Sequence, residues 1–328
     1  MEKLITAFTA NILEALEIAS GATINQPKNE VHNVLICGMG GSGIGGKIVS
    51  QWVQDDSKVP VLLLNDYTLP HYVDKHTLVI GSSYSGNTEE TLIALKKAKD
   101  QGAHIIGICS GGEVKEFCIE NGYDFIVVPG GNPPRTAVAF SIVQLLNIFI
   151  HLGMTNASRL DEVKSAHDLL IAEQAQIHSK AKELATFLQG KVGVFYAGPK
   201  YESVAIRARQ QFNENSKFLS WHHVIPEMNH NELVGWGGGD DRFAVVFLQT
   251  NDLIPRNQRR YEITFEEVKK HTSSVIEISA MGSTQIERSF YLINLVDWAS
   301  YYLALYKNVD AMDIHVIDYL KNELSKLN

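Results

Sequence analysis

The hydroxyl groups of "GSSYSGNTEET", Gly81 to Thr91, are the first candidates for chemistry. Ser82, Ser83, Ser85 and Thr88 stand between a strand-like run, "HTLVI", and a helix-like run, "LIALKKAKDQG", with no Lys or Arg among them. A helix N-terminus presents free N–H groups and a partial positive charge. Ser and Thr hydroxyls add donors without bulk, and Gly86 lets the backbone close around an anion. Ser83, Ser85 and Thr88 are therefore the candidate holders of a phosphate monoester. A plain helix cap by Ser85, Asn87 or Thr88, helped by Glu89 and Glu90, is the competing reading, but one hydroxyl suffices for a cap.

A second group lies upstream. "CGMGGSGIGG" places Gly38-x-Gly40-x-x-Gly43 directly after a strand-like run, and Asp66 ends the next such run. Together they satisfy a dinucleotide-binding fingerprint, so a nicotinamide dehydrogenase is one reading. A tight turn with close helix packing is another. A dehydrogenase has no general need for a second anion cradle like the hydroxyl loop. A sugar phosphate, with one phosphate and several hydroxyls, uses both, and Gly40, Gly41 and Ser42 let the backbone approach a sugar hydroxyl closely.

The elements that must position these loops follow from periodicity. "VHNVLIC", "VPVLLLN", "HTLVIG", "AHIIGIC" and "YDFIVVP" read as strands apolar on both faces, and helix-like segments follow several of them. That alternation predicts a parallel, doubly wound sheet covered on each side. "AVAFSIVQLLNIFIHLG" reads as a buried helix, and residues 158–188 as one or two linking helices. The pattern then restarts, with strands in "KVGVFYAG", "FAVVFLQT" and "SVIEISA" and helices in "YESVAIRARQQFNENSK" and "ERSFYLINLVDWASYYLALYK". The expectation is two related α/β domains, residues 1–152 and 153–328, each a mostly parallel doubly wound sheet flanked by helices. In the second, the third-strand position reads "VVFLQTNDLIPR" without the Ser/Gly/Asn/Thr cluster, so the first domain holds the ligand and the second contributes other chemistry.

The totals narrow the function. A net charge of -8 argues against nucleic acid as the main partner. Cys37, Cys109 and Cys118 form no CxxC pair, and Cys37 and Cys109 lie in apolar runs, which fits core packing in a reducing compartment. Glu14 and Glu17 interrupt the N-terminal stretch, so it is no signal peptide. Leu4, Ile5, Phe8, Ile12 and Leu16 recur at helical spacing instead. No apolar run reaches transmembrane length, and the expected location is cytoplasmic.

The loops and three further motifs resemble a known family. "SSYSGNTEET" resembles the phosphate loop of sugar isomerase (SIS) domains. With "GMGGSGIGG", "NPPRTA", "FNENSK" and "PEMNHNELVGW" it resembles the bifunctional phosphoglucose/phosphomannose isomerases, over a span from Gly38 to Lys307. The resemblance implies two SIS-type domains, sugar-phosphate substrates, a homodimer, and a site without metal or other cofactor. By position it implies that Gly41 and Ser42 contact the sugar, that Ser83, Ser85 and Thr88 hold phosphate, and that Arg135 lies beside the reacting carbons. Glu214 is then the proton-transfer base, His230 and Lys307 serve ring opening, and His230 crosses to the partner's site. Ser300 stands where the family has Thr and is a candidate substrate-binding residue that admits either C2 epimer. Gly43, where Ala is common, and Lys47, where an acidic residue is common, are further departures.

The residue types suit that chemistry. Aldose–ketose isomerisation moves a proton between C1 and C2 through a cis-enediol(ate), which needs one base that takes and returns it. Glu214 offers a carboxylate, Arg135 a permanent cation for an enediolate oxygen, and His230 a group that exchanges protons near neutrality. The ordinary readings are an exposed helical Glu, a loop Arg, an exposed His and a Lys beside a helix C-terminus. Adjacent His222 and His223 receive no role. No HxH or HExxH arrangement occurs with a matching acid, which disfavours a zinc-dependent isomerase. A non-catalytic sugar-phosphate sensor remains the alternative, and the intact Glu214, His230 and Lys307 set favours the enzyme.

Overall fold

The computed structural model describes residues 1–327. The chain forms two compact units. One comprises Thr6–Ala172 with Gly282–Phe290, and the other comprises Met1–Ile5, Glu173–Met281 and the chain from Tyr291 onward. The N-terminal helical stretch divides into α1 (Glu2–Thr6) and α2 (Phe8–Gly21), and the break at Ala7 falls where the chain passes from one unit to the other.

In the first unit β1 (Asn33–Cys37) leads to α3 (Gly40–Val53) and β2 (Val61–Leu64). After β3 (Thr77–Ser82) come α4 (Glu89–Asp100), β4 (His104–Cys109), α5 (Gly112–Asn121) and β5 (Asp124–Val127). The five strands lie in the order β2-β1-β3-β4-β5, all parallel. β1 is an interior strand, and the chain steps to one side of it, then returns across it to β3. The crevice between β1 and β3 is therefore the topological switch point at which doubly wound sheets bind ligands. The register brings Cys37 opposite Gly81, so the chain leaves both strands at the same height.

Helix α6 (Val138–His151) packs on α2 and α3. It is buried on nearly every side, from Val138 to Phe149, as its almost unbroken apolar sequence requires. Cys37, Cys109 and Cys118 are free and buried in this unit, and burial pushes the Cys37 thiol up to about 12. These thiols are packing groups. Helix α7 (Arg159–Ala172) closes the unit. Asp56, just beyond α3, ties down the start of α7 and the turn before it: its Oδ2 accepts from Thr155 Oγ1 at 2.6 Å and from Arg159 at 2.9 Å.

The second unit repeats the plan with one strand fewer. It contains α8 (Gln174–Leu188), β6 (Val192–Ala197), α9 (Glu202–Ser216), β7 (Ser220–Val224) and α10 (Glu232–Gly235). β8 (Phe243–Gln249), α11 (Pro255–Val268) and β9 (Val275–Ser279) follow, then α12 (Gln285–Tyr306), whose first turns belong to the other unit, and α13 (His315–Leu324). The order β7-β6-β8-β9 is again parallel and again begins in the middle of the sheet. The two sheets flanked by helices are the α/β class expected from the alternation. β7 was not among the expected strands. It is an edge strand of mixed polarity, "SWHHV", all half-buried, and lacks the apolar run that marks the others.

Candidate active site

In the first unit the two loops meet at the switch point. The glycine turn closes tightly because several of its missing side chains make room for backbone. A Cβ on Gly38 would lie 2.8 Å from Ser82 O, and one on Gly41 would lie 2.6 Å from Pro134 O. Asn65 holds the turn from the side, donating to Gly38 O at 2.5 Å. The glycines thus bring the start of α3 against the β3 end and against the segment that carries Arg135. Gly40 and Gly41 open α3, where first-turn N–H groups have no partner within the helix.

The hydroxyl loop is braced from within. Ser83 is fully buried and its Oγ donates to Thr88 Oγ1 at 2.8 Å. Thr88 N–H donates back to Ser83 Oγ at 3.3 Å, and Asn87 N–H donates to Ser85 Oγ at 3.2 Å. Gly86 adopts φ 74°, a conformation that favours glycine, and packs against the Gly111 carbonyl with no room for a Cβ. Thr88 is the residue before α4, but its side chain makes no capping bond. The loop therefore commits the Ser83 proton to its own shape and leaves Ser85 exposed and Thr88 half-exposed at the helix N-terminus.

Tyr84 links the pieces, a role that its place among the loop hydroxyls did not reveal. Its N–H donates to Ser42 Oγ at 3.1 Å, and its hydroxyl accepts from Asn132 N–H at 3.2 Å. Asn132 opens the segment that bears Arg135 on a short 3-10 turn, Pro134–Thr136. Arg135 is buried, with 4% of its surface exposed, unlike an ordinary loop Arg. Gly41, Ser42, Ser83, Ser85, Thr88 and Arg135 thus belong to one connected set within this unit. Gly41, Ser42, Tyr84 and Pro134 help line a small cleft there.

In the second unit Glu214 lies in the last turn of α9 and is half-buried. The helix ends at Lys217, which takes a left-handed φ of 49°. Lys217 Nζ donates to Glu214 O at 2.9 Å and to Asp313 O at 2.8 Å. Lys307, just past α12, donates its Nζ to Lys217 O at 2.8 Å and lies over the Phe218 ring. The residue is exposed overall, yet its amine folds back onto the protein, and that desolvation pulls its pKa below the ordinary lysine value. Two lysine ammonium groups thus meet the carbonyl end of α9, where the helix dipole favours cations.

Ser300 lies beneath this surface, fully buried. Its Oγ donates to Asp297 O at 2.7 Å and accepts from Asn215 Nδ2 at 2.9 Å, while its carbonyl accepts from Ser216 Oγ at 2.5 Å. Glu214, Ser300 and Lys307 therefore surround one helix end. One turn earlier, Asp297 accepts from Arg207 at 2.6 Å and from Gln211 at 2.9 Å. Burial holds the Asp297 carboxyl above its ordinary value, outweighing the lowering by the Arg207 guanidinium beside it.

His230 sits apart from that group in sequence, exposed at the end of a short 3-10 helix, Glu227–His230. The turn is anchored by Asn229, which donates to Thr264 Oγ1 at 2.7 Å. Glu232 anchors its far side, accepting from Trp221 Nε1 at 3.0 Å and the Tyr196 hydroxyl, and pairing with His223 Nδ1 at 2.8 Å. Neither Glu232 nor His223 stood out in the sequence. Among the described residues, no group of three or more His, Cys, Asp and Glu side chains is placed to hold a metal ion. Among them no helix is long and apolar enough to cross a membrane.

Known proteins resemble this chain in sequence and fold. The SIS domain family matches residues 29–115, and the bacterial phospho-glucose isomerase C-terminal SIS domain matches residues 177–324. A bifunctional phosphoglucose/phosphomannose isomerase from Caldicellulosiruptor bescii is 39% identical over 96% of each chain. This chain belongs to that isomerase family. A second member, from Aquifex aeolicus, is 35% identical over 89% of this chain and 90% of its own. The fold extends to more distant proteins. The tagatose-6-phosphate ketose/aldose isomerase of Escherichia coli superposes with a TM-score of 0.72 at 13% identity, covering 94% of both chains. The family match spans both units, including the glycine turn, the hydroxyl loop and the end of α9.

Proposed function

We propose that this protein interconverts glucose 6-phosphate or mannose 6-phosphate with fructose 6-phosphate. The observation that carries the reading is the meeting of the glycine turn and the hydroxyl loop at the β1/β3 switch point, in a chain of this isomerase family. Ser83, Ser85 and Thr88 form the phosphate cradle, and Gly41 and Ser42 meet the sugar. Glu214 takes the C2 proton of the aldose and returns it to C1 of the ketose, through a cis-enediol(ate) whose oxygen charge Arg135 offsets. His230 and Lys307 open the ring first. Their residue types support these roles: one carboxylate suffices for a proton moved between adjacent carbons, and a guanidinium supplies the fixed charge. The working form is a homodimer in which His230 serves the partner's site.

Purified protein is assayed with each aldose phosphate, in the presence and absence of EDTA. Turnover of both, unaffected by chelation, is expected. Binding of sugar phosphate without turnover would identify a sensor instead. Glu214→Gln keeps the shape and loses the base, so exchange of the C2 proton with deuterated water is expected to vanish while substrate still binds. Near-normal exchange in that variant removes Glu214 from its role.

A further inference from the structure

The face of α9 that carries Glu214 is tied to α12 by polar side chains. Arg207, Gln211 and Glu214 follow i, i+4, i+7 spacing, which puts them on one side of the helix. Arg207 and Gln211 are each 1% exposed, and Asp297 on α12 is 4% exposed. Arg207 reaches Asp297 through a two-pronged contact, Nε to Oδ1 at 3.1 Å and an η nitrogen to Oδ2 at 2.6 Å. Gln211 Nε2 adds a third bond to Oδ1 at 2.9 Å. One turn further along both helices, Asn215 and Ser216 bond Ser300. Glu214 lies in the turn between these two sets of bonds.

Stability alone does not require such an arrangement. Taking two charges out of water is costly, and well-packed apolar side chains of similar volume commonly hold a buried helix pair as well or better. Both helices already bury apolar side chains elsewhere, Ala205, Ala208 and Phe212 on α9 and Val296, Trp298 and Ala299 on α12. An apolar contact tolerates sliding and rotation, whereas a guanidinium–carboxylate fork has one bonding geometry. A fork therefore sets the angle and height of α9 more closely than leucines would. Proton transfer makes that closeness matter, because a displacement of about 1 Å at a reacting group costs on the order of 100-fold in rate.

We propose that Asp297, held by Arg207 and Gln211, is a positioning residue that fixes the rotation and height of α9 and so aims the Glu214 carboxylate at the substrate carbons. The proposal rests on the reading of Glu214 as the proton-transfer base. Asp297 touches no reacting atom in this scheme and acts through the helix.

The test separates position from stability. In full-length protein the pair is replaced together with its Gln211 partner, Arg207→Met and Gln211→Met with Asp297→Leu, which removes both charges and leaves no buried donor facing the lost carboxylate. Circular dichroism and thermal midpoint close to those of the native protein are expected, with KM for both aldose phosphates unchanged within about twofold and kcat and C2 proton exchange lower by about tenfold or more. A purely structural pair would leave kcat per folded molecule at the native value, and that result overturns the proposal. Gln211→Met alone serves if the triple variant does not fold. It removes one bond and keeps the ion pair, and a several-fold lower kcat at constant KM is expected. Unchanged kcat in Gln211→Met overturns the proposal equally. Glu214→Gln is measured alongside. If it exchanges the C2 proton normally, the base assignment itself fails. If it is inactive while the clamp variants turn over normally, only the positioning role fails.

Discussion

Ser83 and Ser85 are two residues apart and do different work. Ser83 is buried, and its proton is committed to Thr88 Oγ1. That commitment occupies a Thr88 lone pair and leaves the Thr88 proton free to face outward. Ser85 is exposed, with its oxygen accepting from Asn87 N–H, so its proton is also free. Ser85→Ala and Thr88→Val are therefore expected to raise KM with kcat nearly constant, because the phosphate proposed as their ligand does not react. Each lost bond to a charged group is worth about 1.5–3 kcal/mol, or roughly 10- to 150-fold in KM. Steady-state kinetics on both aldose phosphates checks this, and a native KM in both variants would make the loop a plain helix cap. Ser83→Ala is expected to differ by also lowering the thermal midpoint, since it removes bonds internal to the loop. The sequence marked these hydroxyls as a group, because their density exceeds what a cap needs. It did not distinguish the brace from the donors, since that depends on where each oxygen points.

At the scale of elements, the strands buried on both faces were legible because continuous apolar runs have few other uses. So was α6, whose apolar sequence leaves no solvent face. β7 was hidden by its edge position, which lets polar residues occupy a strand. The bonds between α9 and α12 were hidden for another reason: Arg207 and Asp297 are distant in sequence, and an Arg at helical spacing reads as a solvated residue until its partner is known. The tie between α3 and α7 is of the same kind and gives a pH-dependent outcome. Hydrogen bonding from Thr155 and the Arg159 charge hold the Asp56 carboxyl below its ordinary value of 3.8. A depressed carboxyl pKa stabilises the fold fully above the unfolded value, and that contribution is lost as pH falls through the folded one. Asp56→Asn is expected to cost about 1 kcal/mol at neutral pH, as for a partly exposed pair. Urea unfolding of both proteins is compared at neutral pH and below pH 3.8, the ordinary Asp value. The difference is expected to shrink in acid. A gap that stays constant would assign the effect to packing rather than to charge.

For the whole molecule the proposed shared site turns on His230. It is exposed on its own chain, yet the turn that carries it is held firmly by Asn229 on one side and Glu232 on the other. An exposed side chain on an anchored turn suits a group offered to another copy, because a mobile turn would forfeit the ordering that catalysis needs. If His230 completes the partner's site, two inactive variants can restore each other. Glu214→Gln and His230→Ala are unfolded together, refolded together and assayed. In a mixed dimer one site then carries both lesions and the other carries none. With random pairing about half of the dimers are mixed, so roughly a quarter of all sites regain full activity. If His230 acts within its own chain, every site keeps one lesion and mixing restores nothing. Wild-type protein refolded in parallel fixes the recoverable activity, and differently tagged chains confirm that mixed dimers have formed. Mixed dimers without regained activity would eliminate the shared site. Regained activity that rises and falls with the mixed fraction, greatest when the two variants are equal, would establish it.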